Sequence, residues 1–398
     1  MSASFLRGMT VVLGVSIFAS VGQTQELRIG FVNTSSGSGA ILGRQMENGW
    51  KLGLEHAGWT KDGDKIGGVP TRIFYADDQA KPDVGIKEVD RLLRQDKAQV
   101  IAGVVFSNVA LAVQKMIFDA NAMLLSTNAA AAPFAGAQCS LLFVSTSFIT
   151  DGAAEAIGEM ATKDGIKTVV ALAPNYQSGK DNIAGFERTF KSGKVVEQIL
   201  FKLGETDFQA DLAKINAVKP QAIFIFAPGA MGISFMKQWV ASGIGKGIKI
   251  YSMYVVDQLT LPAIGDAALG VVEASHWNHD ATNPKNERFK KAYVAKFGSA
   301  PSFLSVHSYD APELLAKGLR ATGGRIENMA AVTRAMRKTT LDSPRGTIGF
   351  NFNGFLIQPY WRLTVETGAD SKPFLKGGEK VMERPDSYGN QCPAERRI

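Results

Sequence analysis

Strand-like and helix-like segments alternate along most of this chain, and that rhythm constrains the fold more than any single motif. LRIGFVNT (Leu27 to Thr34) reads as a strand. A Ser/Gly-rich turn follows, then a helix from about Ala40 to Gly58 with Ile41, Met46, Trp50 and Leu54 at helical spacing. TRIFYADD is a second strand, Pro82 to Gln95 a helix, AQVIAGVV a strand, Ser107 to Asn121 a helix and MLLST a short strand. Such a rhythm specifies βαβ units and a parallel sheet, because parallel neighbours need a long crossover. The pattern then restarts. A helix near Asp151 to Asp164 leads through KTVVALAP, a helix from about Gly179 to Phe190, KVVEQILF, a helix capped by Thr206-Asp207, QAIFIFAP, a helix through Trp239 and IKIYSMYV.

After GVVEASHWNH the character changes. Pro284 to Phe297, Tyr309 to Ala321 and Glu327 to Lys338 read as helices, and QPYWRLTV is the last strand-like piece. A chain of 398 residues is too long for one core. The expected fold is therefore α/β: two parallel-sheet lobes joined by a three-crossover hinge. The crossings are expected near Thr146 to Ile149, Ser275 to Asn278 and Gly349 to Ile357. The N-terminal lobe would hold 26–148 plus 278–356, the C-terminal lobe 149–277 plus 357–385, with a tail over 386–398. Hinged lobes of this kind close around ligands.

The first 22 residues read as a cleaved signal peptide: Arg7 without acidic neighbours, an apolar run over Met9 to Ala19, and a small-residue exit near Gly22. That run is too short to span a bilayer, which takes about twenty apolar residues. An exported, periplasmic protein is expected. Two thiols in an exported chain tend to pair, so Cys139 and Cys392 are expected to form a disulfide that pins the tail onto the first half of the chain. The net charge of +7 is scattered rather than gathered in a stripe, so it does not point to nucleic acid. A hydrophobic fraction of 45% argues against extensive disorder.

Gly37-Ser38-Gly39-Ala40-Ile41-Leu42-Gly43 follows a strand and opens a helix, which superficially matches a dinucleotide fingerprint. The turn is too long, the acidic pair Asp77-Asp78 lies too far on, and export removes the chain from nicotinamide cofactors; no cofactor is expected. The same turn, Phe106-Ser107-Asn108, and Ser126-Thr127-Asn128-Ala129 instead form three polar loops at strand carboxyl ends. Their backbone N–H groups and helix dipoles suit a carboxylate-sized anion. The second half contributes Tyr176 and Tyr254, with Asp257 close behind. No nucleophile elbow, phosphate loop or HExxH occurs. His276 and His279 form HxxH in a crossover without a metal-binding context, and Asp77-Asp78 reads as a solvated pair. Neither catalysis nor a metal is expected.

With these residues placed, the chain resembles the periplasmic leucine/isoleucine/valine-type solute-binding proteins of ABC importers, which have the type I periplasmic binding fold. The resemblance rests on LRIGFVNTSSGSGAILGRQMENGWKLGLEHAG, IAGVVFSNVALAV, LLSTNAAAAPF, PNYQSGKDNIAGF, AIGDAALGVV and FKKAYVAKFGSAPSFLSVHSYDAPELLAKGL, in that order. It implies capture of a small carboxylate-bearing solute, an amino acid or an aromatic or other organic acid, for a membrane permease; an extracytoplasmic sensor of the same fold is the alternative. It further implies that Ser107 and Asn108, with Ser126, Asn128, Ala129 and Ala130, hold the ligand carboxylate, and that Tyr176 closes from the other lobe. Relatives that bind amino acids carry an acid for the ammonium in the loop that here holds Tyr254 and Asp257. The Thr that usually ends the carboxylate loop is Ala130 here. Either Asp257 reaches the cleft or the ligand lacks an amine.

Overall fold

The computed structural model describes residues 25–397, so the expected signal segment, 1–22, lies outside the described residues. The first lobe is built on β1 (Leu27–Asn33), β2 (Lys65–Ile66), β3 (Val69–Asp77), β4 (Val100–Gly103), β5 (Met123–Ser126) and β6 (Phe143–Ser145). Between them run α1 (Ala40–His56), α2 (Pro82–Arg94), α3 (Ser107–Asp119) and the short α4 (Ala132–Ala135). The strand order is β2-β3-β1-β4-β5-β6, all parallel except the small β2 hairpin on β3. β4 and β5 are buried along their whole length, which suits their unbroken apolar character between two helical layers. Val32 pairs with Gly103, Gly103 with Ser126 and Ser126 with Ser145, so four strands end at one level. The loops that leave them form a single rim.

The second lobe starts with α5 (Gly152–Lys163), then β7 (Thr168–Pro174), α6 (Gln177–Thr189), β8 (Lys194–Phe201), α7 (Gln209–Val218), β9 (Ala222–Phe226), α8 (Ala230–Ser242), β10 (Lys249–Met253), α9 (Leu261–Ile264) and β11 (Val272–Ser275). The chain then returns to the first lobe with α10 (Pro284–Phe297), α11 (Phe303–Ala321) and α12 (Met329–Arg337). α11 lies along α1, and the approach is close. A Cβ on Gly49 would meet the Ser305 carbonyl oxygen at 2.1 Å, and one on Gly53 the Tyr309 carbonyl oxygen at 2.4 Å. Glycines four apart on one helical face are what let these backbones touch.

β12 (Leu341–Ser343), β13 (Gly346–Phe350) and β14 (Leu356–Ile357) then form a small antiparallel sheet, after which β15 (Pro359–Thr367) and β16 (Pro373–Glu383) complete the second lobe. That sheet has the order β16-β15-β11-β10-β9-β7-β8, parallel from β11 to β8 and antiparallel at β15 and β16. Three segments pass between the lobes: after β6, after β11, and from β14 into β15. The third crossing falls at the very end of the expected stretch because 341–357 pairs with itself before leaving the first lobe. β16 was not anticipated, since PFLKGGEKVME is glycine-interrupted and charged. It occupies a sheet edge, where lysines such as Lys376 and Lys380 guard against further pairing. Cys139 and Cys392 are joined by a disulfide. Among the described residues no helix is long and apolar enough to cross a membrane.

Candidate functional site

A narrow cavity lies between the carboxyl ends of the two sheets, the place where open α/β sheets take ligands. About 450 Å³ is free of protein atoms there, part of it continuous with solvent. The first lobe and its crossing contribute Leu42, Val105 to Ser107, Asn128 to Ala130, Phe148, Thr150, Phe303 and Leu304. The second contributes Tyr176, Ser178, Asn182, Phe226, Pro228, Met253 and Tyr254. None of these side chains is a carboxylate, an amine, a guanidinium or an imidazole.

The polar end is made by two helix starts that meet. Phe106 is extended and precedes α3; Tyr176 is extended and precedes α6. The Ser178 and Ser107 hydroxyls are hydrogen-bonded at 2.7 Å, and whichever donates, one hydroxyl proton of the pair stays free for another acceptor. The first N–H groups of a helix have no intrahelical acceptor, and their dipoles favour negative charge. Beside them, Thr150 donates its hydroxyl to the Ala130 carbonyl, and the Ser126 hydroxyl donates to Ala129, fixing the loop after β5. The Ala132 N–H donates to Asp181 at 3.0 Å, a second bond from lobe to lobe.

The rest of the lining is aromatic. Tyr254 stacks on Phe303 with ring centroids 4.1 Å apart, and Phe148 packs against Tyr254 at 5.2 Å. Tyr176 lies parallel to Phe226 and edge-on to Phe106, each at 6.4 Å. Tyr254 takes φ +58°, a left-handed conformation that is uncommon without glycine and is held by its surroundings. Glu273, buried in β11, accepts from the Tyr254 N–H and the Ser252 hydroxyl and so pins this loop. Burial pushes the Glu273 carboxyl well above the usual carboxylate range. Behind the wall the Tyr254 hydroxyl meets His276 Nδ1 at 3.1 Å, and His276 Nε2 meets His307 Nε2. Both imidazoles are held well below their ordinary pKa by burial.

Of the residues singled out from sequence, Ser107, Asn128, Ala129, Ala130, Tyr176 and Tyr254 line the cavity together. Three do not. Asn108 is half-buried at the second position of α3, and Ser126 is buried beneath its loop. Asp257 turns back on its own chain, accepting from Leu259 N–H and Thr260 N–H at 2.9 Å and from the Thr260 hydroxyl at 3.1 Å. Its role is to cap the turn into α9, and burial pushes its carboxyl up to about 6. The Gly37 turn also differs from expectation. Ser35 and Ser36 bond to Asp77, and Thr34 bonds to Asp78, so of that turn only Leu42 reaches the cavity. Asp78 is not solvated; it is fully buried and its carboxyl is raised to about 6. His276 turns inward to His307 while His279 sits beside Asp280, so the HxxH pair does not converge. Among the described residues no cluster suits a metal ion.

Sequence reasoning missed Phe148, Thr150, Phe226 and Phe303, and it missed Ser178 and Asn182. The last two could have been found. They stand two and six residues past Tyr176 and share one face of α6.

Two hinged α/β lobes with a small, largely apolar cavity between their sheet ends define a solute-capturing protein. The chain belongs to the periplasmic binding protein family, whose model matches residues 26–370. A Leu/Ile/Val-binding protein homolog from Brucella melitensis is 28% identical over 351 residues, covering 86% of this chain and 88% of the relative. A solute-binding protein of an ABC transporter from Rhodopseudomonas palustris BisB5, solved with 3,4-dihydroxy benzoic acid, superposes with a TM-score of 0.85 at 30% identity, covering 92% of this chain and 99% of the other. Another from R. palustris, solved with benzoate, gives 0.84 at 26% identity with the same coverage.

Proposed function

We propose that this protein is an exported, non-catalytic solute-binding component of an ABC importer that captures a small aromatic carboxylate by lobe closure and presents it to a membrane permease. In this reading residues 1–22 are removed on export and the protein works in the periplasm. The observation that carries the reading is the junction of two helix starts, one from each lobe, at the Ser107–Ser178 contact, inside a cavity walled by aromatic rings and free of charged side chains. The helix starts and the Ser107 hydroxyl suit an anionic head; Tyr254, Phe303 and Phe148 suit a ring. Contacts made with both lobes are what let a ligand favour the closed form.

The absence of a charged lining group favours an acid without an amine. A buried ammonium needs a partner, and Asp257 is engaged with its own turn. The solute-binding proteins solved with benzoate and with 3,4-dihydroxy benzoic acid support the same choice over the branched-chain amino acids suggested by the Brucella name. The test is thermal denaturation of the purified protein with benzoate-type acids, small aliphatic acids, leucine, isoleucine and valine. A ligand that binds only the native state raises the melting temperature by mass action. A rise with benzoate-type acids alone is expected; a rise confined to leucine, isoleucine or valine would overturn the aromatic assignment.

A further inference from the structure

The polar groups of the cavity include two acceptors with no donor. Asn128 donates its amide N–H to the Val105 carbonyl at 2.7 Å, and Asn182 donates to the Ser178 carbonyl at 2.7 Å. Those bonds fix which way each amide faces, since flipping either would set carbonyl against carbonyl. The Oδ1 of each is buried and has no hydrogen-bond partner among the described residues. Asn182 is fully buried, and both residues line the cavity, one from each lobe. Buried polar atoms are almost always paired with protein or water, and among the unpaired buried side-chain atoms of the described residues only these two belong to residues that line the cavity, which makes them the acceptors a ligand donor can meet.

An ionised carboxylate offers only acceptors, and an unsubstituted ring offers no donor of use. A bare aryl carboxylate would leave both Asn oxygens unanswered. An ammonium could answer them but would be buried without a counter-charge, because no carboxylate lines the cavity. The remaining donors are neutral, a hydroxyl or a ring N–H, and on an aromatic acid the simplest of these is a hydroxyl. We infer that Asn128 and Asn182 are specificity-determining residues that read hydroxyl groups on the ligand, so that the solute preferred by this protein is a hydroxylated aromatic acid. This inference rests on the aromatic-carboxylate reading above and narrows it.

The experiment is calorimetric titration of the full-length protein with benzoate, the three monohydroxybenzoates and 3,4-dihydroxybenzoate, repeated with Asn128→Ala and Asn182→Leu. At least one hydroxylated acid is expected to bind about tenfold or more tighter than benzoate. That ratio is expected to fall to within about twofold in each variant that folds, as a lost hydroxyl contact requires. Using the ratio separates recognition from a general weakening of the site, and Asn128→Ala carries the test if Asn182→Leu does not fold. Benzoate binding as tightly as every hydroxylated acid, or a preference that survives in the folded variants, overturns the inference and leaves the aromatic reading standing. Binding of none of these acids overturns both.

Discussion

The Ser178 hydroxyl at the start of α6 lies 2.7 Å from the Ser107 hydroxyl at the start of α3, so helices from different lobes meet end to end across the cleft. This contact both completes the polar end of the cavity and joins the lobes across the cleft. Ser107→Ala removes the hydroxyl offered to a carboxylate and leaves Ser178 without its partner. A loss of about 1–3 kcal/mol in ligand binding is expected, with little change in thermal stability of the free protein. Tyr176→Ala, which removes a ring from the wall, is expected to weaken binding by a similar amount. Titration calorimetry on both variants, with circular dichroism to verify folding, checks this; unchanged affinity in both would remove Ser107 and Tyr176 from the site.

Asp257 gives a prediction with two readouts. Its carboxylate serves the turn into α9, so Asp257→Asn is expected to leave affinity for an aromatic acid within about twofold. Its pKa rises from 3.8 to about 6 through burial. Between those values the folded protein keeps a proton that the unfolded chain releases. Stability from this group is therefore highest below pH 4 and falls as pH rises to 6, by at most about 3 kcal/mol. Urea denaturation from pH 4 to 7 should show a shallower decline in Asp257→Asn than in the parent. A large loss of ligand affinity in that variant would instead put the carboxylate in contact with the ligand.

The difference between Asp257 and Tyr254 marks where sequence reading stops. The alternation of strands and helices in 27–126 and 152–275 is local and periodic, so the parallel sheets were legible from it. The loops at the strand ends were legible too, because topology alone delivers Ser107, Asn128 and Ala130 to the rim of one sheet and Tyr176 and Tyr254 to the rim of the other. Side-chain direction was not. Asp257 faces its own backbone because Leu259 and Thr260 present donors two and three residues on, whereas Tyr254 is turned into the cavity by the buried Glu273. Phe303 was hidden for another reason: it comes from α11, which reaches the cleft only because Gly49 and Gly53 let that helix settle on α1. β16 carries almost no apolar alternation, being a solvent-facing edge strand.

Arg345 ties the hinge together. Its guanidinium donates to the Thr146 carbonyl at 2.8 Å and the Ser147 carbonyl at 3.2 Å in the first crossing, and to Gln358 at 2.6 Å in the third. It also donates to Asp310 on α11 at 2.7 Å, and both side chains are fully buried. Removing one member of a buried pair leaves an uncompensated charge. Arg345→Met is therefore expected to cost about 3–5 kcal/mol of stability, and Arg345→Met with Asp310→Leu to recover much of it. Urea denaturation of the three proteins decides the matter: equal losses in the single and double variants would mean that the carbonyl bonds, not the ion pair, dominate.

The C-terminal tail forms a further, covalent link between the lobes. On the second lobe, Arg384 donates to Glu155 at 3.0 Å and Glu159 at 2.6 Å, and the Tyr388 hydroxyl donates to Asp151 at 2.6 Å. Between those residues, Asp386 accepts from Asn351 at 2.6 Å and Asn353 at 2.9 Å, beside the third crossing. The tail then ends in the disulfide to Cys139 on the first lobe, closing a sequence separation of 253 residues. A cross-link that closes so long a loop restricts the unfolded chain, and its removal is expected to cost about 2–4 kcal/mol. Cys139→Ser with Cys392→Ser, or reduction of the parent, should lower the denaturation midpoint by the same amount. Limited trypsin digestion of the double variant should also cut among Arg384, Arg396 and Arg397 sooner than in the parent, because the strap is then held by side-chain bonds alone. If the double variant keeps both the parent's midpoint and its digestion rate, the ion pairs around Glu155 and Asp151 suffice to hold the tail, and the disulfide contributes nothing measurable to linking the lobes.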